Sequence, residues 1–128
     1  MSEESSIKSY RDLLVWQKSM ALAESGYLLS RSLPKEEMFG LASQIRRAAA
    51  SVAANIAEGH GRENTRSFIQ SLRIEQGSLK ELETHFLLAH RVGLIGRTKI
   101  DPAMEQCEAL GKMLRSLIRS LQRRELER

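Results

Sequence analysis

The chain has 128 residues, 41% hydrophobic and 28% charged, with two prolines and one cysteine. That is enough for one domain with its own core, too apolar for global disorder, and too poor in cysteine for a disulfide framework or a multi-cysteine zinc site. The net charge of +4 is uneven, with eight basic and eight acidic side chains in residues 1–64 but twelve and eight in residues 65–128, so the second half permits a polyanionic partner.

The chain opens with Met1-Ser2-Glu3-Glu4-Ser5-Ser6, which is polar and acidic and unlike a secretory leader. No run approaches the ~18 apolar residues of a membrane span. A cytoplasmic protein away from membranes is the expectation, with residues 1–9 frayed.

The first predicted helix takes Asp12 as N-cap and runs to about Ser32, with Leu13, Trp16, Met20, Ala23, Tyr27 and Leu28 as its apolar stripe. Leu33-Pro34 breaks it, because the residue before proline avoids the α region. The second runs from about Glu37 to Glu58. Its stripe is Leu41, Ile45, Ala48, Ala49, Val52 and Ile56, and Gly59-His60-Gly61 is expected to stop it. Its alanines bury little area each, so close packing against a neighbour must compensate, within the chain or from another subunit. Ala49 and Ala53 are the positions expected at that contact.

Asn64 or Thr65 caps the third predicted helix, which runs to about Arg91 with Phe68, Leu72, Leu79, Leu82, Phe86 and Ala89 as its core row. Glu75 sits oddly on that row, either paired with a base of the second helix or turned out at the stripe's edge. Gly93-Leu94-Ile95-Gly96 ends the helix. The fourth starts at Asp101-Pro102, an N-cap with proline at the first helical position. Cys107, Leu110, Leu114, Leu117, Ile118 and Leu121 form its stripe, and residues 124–128 fray. Four such helices on short loops predict an all-α, antiparallel up-down-up-down four-helix bundle filling residues 1–128 as a single domain.

Catalytic patterns are missing. Bundle metal sites use Glu-x-x-His pairs, and this chain offers only Glu81 and His85, four apart. Cys107 lies on an apolar stripe and reads as a small hydrophobe. No nucleophile elbow or triad can be assembled, and Gly59-His60-Gly61 follows a helix rather than the strand that precedes a dinucleotide loop. No enzyme activity, cofactor or metal is expected.

Two other features stand out. Asn55 and Glu58 share a face in a last helical turn, where the dipole disfavours a carboxylate. Arg46, Arg47, Arg62 or Arg66 could balance it, as part of a polar network that fixes register or subunit contacts. The second feature is a pair of basic rows: Arg66, Arg73 and Lys80 every seven residues, and Lys112 followed by Arg115, Arg119 and Arg123 every four, with Arg124 beside the last. Such rows suit phosphates. No aromatic side chain interleaves with them, so base stacking is not supported, and binding should be salt-sensitive and weakly sequence-specific.

Asp12-Leu13-Leu14-Val15-Trp16-Gln17-Lys18, Gly40 to Ala48, Asn55-Ile56-Ala57-Glu58-Gly59 and Gly77 to Thr84 together resemble the four-helix-bundle family of 23S rRNA-intervening-sequence proteins, over roughly residues 10–121. That family is similar in fold to the accessory variability determinant proteins of diversity-generating retroelements, barrel-shaped homopentamers that bind nucleic acid and a reverse transcriptase. The resemblance implies a homo-oligomer, expected to be a pentamer, without enzymatic activity. Arg46, Arg47, Asn55, Glu58 and Glu81 match family positions and are expected in structure or assembly. Glu75 departs from the pattern before Gly77. The leading functional reading is a nucleic-acid-binding oligomer for RNA or an RNA–DNA hybrid; the alternative is a scaffold or accessory subunit for a partner enzyme such as a reverse transcriptase.

Overall fold

A computed structural model describes residues 8–127. Among these residues every regular element is helical: α1 Leu14–Arg31, α2 Leu41–Gly61, α3 Thr65–Arg91 and α4 Arg97–Leu126, with single 3-10 turns at Tyr10–Asp12 and Lys35–Glu37. The helices run alternately up and down, and α1·α2, α2·α3, α3·α4 and α4·α1 pack as neighbours. The four-helix bundle expected from the apolar periodicity is therefore the fold.

The helix starts depart from expectation for local reasons. Asp12 does not cap α1. Its carboxylate accepts from Lys8 N at 2.8 Å and Ser9 N at 3.1 Å, closing a capping box on the Tyr10–Asp12 turn. Those two bonds hold the Asp12 carboxyl below its usual range. α1 then begins after Leu13 without a side-chain cap. Likewise α2 starts at Leu41 rather than Glu37. Glu37 closes the preceding turn, and its carboxylate accepts Leu41 N at 3.2 Å.

Gly59-His60-Gly61 continues α2 instead of stopping it, and the left-handed residue that turns the chain is Glu63, at φ 55°. Gly59 serves another purpose. A Cβ there would lie 2.3 Å from Ser71 Cβ, so its missing side chain sets how closely α2 approaches α3. α3 starts as expected, with Asn64 accepting Ser67 N at 2.9 Å, and ends before Gly93 at φ 82°. α4 begins one turn earlier than expected, where Ile100 N bonds Gly96 O at 3.0 Å. Pro102 therefore lies inside α4. Burial of Ile100 draws this extra turn onto the core, at the cost of the one hydrogen bond that Pro102 cannot donate. The helix persists to Leu126, so 124–126 are helical rather than frayed; residues 1–7 and 128 of the expected frayed ends lie outside the described residues.

The inward face of α1 also differs. Val15, Ser19, Leu22, Gly26, Leu29 and Ser30 are buried, whereas Met20, Tyr27 and Leu28 are exposed and Trp16 and Ala23 half-buried. Close approach explains the rotation: a Cβ on Gly26 would sit 3.0 Å from Ala49 Cβ, so small residues occupy the contact and the large ones flank it. Ala49 is completely buried against α1, and Ala53 is buried too. The tight packing of α2 is thus made within the chain. The stripe on α3 is as expected, with every member buried, and so is that on α4 apart from half-buried Leu117.

Candidate nucleic-acid interface

All eight bases are exposed, and the helix register brings the two rows to one face, except for Arg124, which turns away from Arg123 to the cleft between α4 and the start of α1. A Cβ on Gly111 would lie 3.6 Å from Arg115 Nη1 and 3.6 Å from Leu79 Cδ2 of α3. Lys80 and Glu83 of α3 are the charged groups that act on Cys107 of α4. Arg66 and Glu125 line one polar recess of about 420 Å³. These antiparallel pairings set Arg73 roughly level with Arg119, and Lys80 with Lys112. The α3 row thus borders α4, and Arg115 and Arg119 border α3.

Spacing along each row follows from helix geometry, ~10.5 Å between bases seven apart and ~6 Å between those four apart. Lys80 is paired with Glu83 at 2.9 Å and Lys112 with Glu108 at 3.5 Å. Among the described residues, Arg66, Arg73, Arg115, Arg119 and Arg123 have no carboxylate partner. Five unneutralised guanidiniums on adjacent helix flanks form a surface that can bind phosphates bidentately and release counterions. The periodicity within each helix was visible in the sequence. Their convergence was not, although Gly111, set in the inward stripe one turn before Arg115, was its available signal.

The polar residues expected to form one network are dispersed. Arg46 donates from Nε to Ser30 Oγ of α1 at 2.8 Å. Arg47 bonds Gln44 on its own helix. Asn55 donates to Ser51 Oγ at 2.9 Å, and Ser51 Oγ lies 3.3 Å from Ser78 Oγ, which forms a polar seam between α2 and α3. Glu58 pairs with Arg62 at 2.6 Å on the surface, and Glu81 lies 3.4 Å from His85. His60, expected in a loop, lies in the last turn of α2 with its ring edge-on to Phe68 at 5.6 Å.

Glu75 takes neither course expected of it. It is fully buried, and neither carboxylate oxygen has a hydrogen-bond partner. Burial pushes its pKa up to about 9 and that of the Cys107 thiol up to about 12. A cleft of about 810 Å³ opens between the start of α1 and the end of α4. Leu13, Val15, Phe68, Met113, Leu117 and Leu121 line it, with His60, Glu63 and Arg124 also at its walls. Among the described residues no group of three or more His, Cys, Asp or Glu is arranged to hold a metal ion, and no helix is long and apolar enough to cross a membrane.

The model of the family described as 23S rRNA-intervening sequence protein matches residues 11–116. The match covers α1, α2 and α3 whole and α4 as far as Ser116, and stops short of Arg119, Arg123 and Arg124. A solved structure from Bacteroides thetaiotaomicron, a protein with unknown function from the S23 ribosomal protein family, is similar with a TM-score of 0.76 and 27% identity, over 82% of this chain and 98% of that one. No curated protein matches the chain.

Proposed function

We propose that this chain, which belongs to the 23S rRNA-intervening sequence protein family, is a non-enzymatic nucleic-acid-binding protein that acts as a homo-oligomer, a pentamer. Its ligand is RNA or an RNA–DNA hybrid, held by the backbone with little sequence preference. One observation carries the reading: five exposed arginines, without carboxylate partners among the described residues, line the adjacent flanks of α3 and α4. Repetition of that face around an oligomer would multiply a modest affinity.

The test is fluorescence anisotropy with labelled duplex RNA across a salt series, comparing the parent with the combined Arg115→Glu, Arg119→Glu, Arg123→Glu variant. The parent's affinity should fall steeply with salt. The variant should bind at least ~100-fold more weakly at low salt while keeping its helical circular dichroism, since three phosphate contacts become repulsions. Equal affinity of the two proteins removes the α4 row from the interface.

The exposed apolar flank of α1 favours a second reading, a scaffold or accessory subunit for a partner enzyme. Met20 is 37% and Tyr27 43% exposed, beside half-buried Trp16. A partner retained through nuclease and high salt would support it.

A further inference from the structure

Glu75 occupies the middle of the row that turns α3 into the core, between Leu72 and Leu79. Among the described residues it is the one buried charged side chain; the other buried polar ones are Ser19 and Ser30. Ser19 Oγ is satisfied by Val15 O at 2.7 Å, and Ser30 Oγ by Tyr27 O at 2.7 Å, whereas neither oxygen of Glu75 is bonded.

The elements packed around α3 offer no counter-charge. Inward positions on α1 and α2 are apolar or small, as at Leu22, Val52 and Ile56. On α4 the inward titratable group is Cys107, whose thiol burial keeps neutral. Lys80 and Glu83 neutralise each other at the α3–α4 edge, and Arg115 is exposed there. No charged group contributes to the Glu75 shift, whose cause is burial alone. An uncompensated buried carboxylate is among the costliest arrangements a core can hold. A neutral acid forgoes only hydrogen bonds.

We propose that Glu75 is a proton latch: the closed bundle carries it as a neutral acid, and opening of the core around α3 gives up that proton to water. The bundle therefore tightens as pH falls and loosens as pH rises.

The sign follows from linkage. An exposed glutamate in the unfolded chain titrates near its ordinary 4.5, whereas the buried one titrates at about 9. Between those values the folded state holds one proton more than the unfolded state. Each pH unit then multiplies the unfolding constant by about ten. This contribution to stability is fully present below pH 4.5 and is lost progressively up to about pH 9.

Urea denaturation of the full chain at pH 6, 7 and 8, at one fixed protein concentration, tests the proposal for the parent, Glu75→Gln and Glu75→Leu. The parent's folding constant should fall about 100-fold more between pH 6 and 8 than that of either variant. Glu75→Leu supplies an apolar side chain of similar size if the amide does not fold. Carbon-13 NMR of the labelled parent needs no variant: a Glu75 carboxyl carbon with the shift of a neutral acid at pH 7 supports the latch. Parallel pH profiles for parent and variants, or an ionised Glu75 carboxylate in the folded protein at pH 7, overturn it.

Discussion

The two flanks of α3 are built on opposite rules. Toward α2 they use small side chains: Gly59 lies where a Cβ would come within 2.3 Å of Ser71, and Ser51 and Ser78 hydroxyls meet at 3.3 Å. Toward α4 the inner contact is leucine, and the outer edge is a double row of cations that few carboxylates answer. Contact distance fixes one flank, whereas charge distinguishes the other. A substitution on the α2 flank should therefore alter the fold before anything else, and one on the α4 flank should alter binding while the fold survives.

The sharpest way to break this contrast is Gly59→Ala. The added methyl group meets Ser71 Cβ and Oγ, at 2.3 and 2.4 Å, so the helices must separate or α2 must bend. Overpacking of this kind typically costs 1–3 kcal/mol, and the closeness here argues for about 3 kcal/mol. The midpoint of urea denaturation reads it. Ser71→Gly in the same chain should recover part of the loss, because the two positions share one contact. A cost below about 1 kcal/mol would mean that the α2–α3 flank has slack and that packing distance does not define it.

Gly77→Ala asks the converse question on the outer face of α3. Nothing lies within 4 Å of a Cβ there, and the residue is exposed in mid-helix. Relieving the glycine of its backbone freedom should stabilise the protein by about 1 kcal/mol. Thermal denaturation would show it as a higher midpoint. A lower one would reveal that something outside this chain approaches the bare backbone at Gly77, and would make the outer face a contact rather than a solvated surface.

What the sequence disclosed follows the same division. Core rows on α3 and α4 were legible because large apolar residues recur at helical spacing where leucine-type packing operates. The α1 face was not, because its contact is made by Gly26 and Ser30, and apolar size then points to the wrong side of the helix. Helix starts at Asp12 and Pro102 misled for a related reason: each residue has the right local chemistry, but Asp12 is used by the preceding turn and burial of Ile100 adds a turn ahead of Pro102. Glu75 was visibly anomalous, yet its burial without a partner is a tertiary fact. The bases of the candidate interface were legible singly, whereas their meeting on one face depends on the α3–α4 register marked by Gly111 and Leu79.

The smallest expected effect concerns Glu58 and Arg62, which the sequence placed in an assembly network. In the structure they form a single i,i+4 pair at 2.6 Å, with side chains 62% and 59% exposed. Exposed pairs of this kind contribute roughly 0.3–0.5 kcal/mol. Glu58→Ala should shift stability by no more than about 0.5 kcal/mol and leave the mass measured by light scattering unchanged, because solvent screens both partners and neither reaches another helix. A change of oligomeric mass, with or without a change in stability, would give the pair a role between subunits. Assembly would then rest on the charged outer face of α2, and the α2–α3 side of the molecule would no longer be defined by packing distance alone.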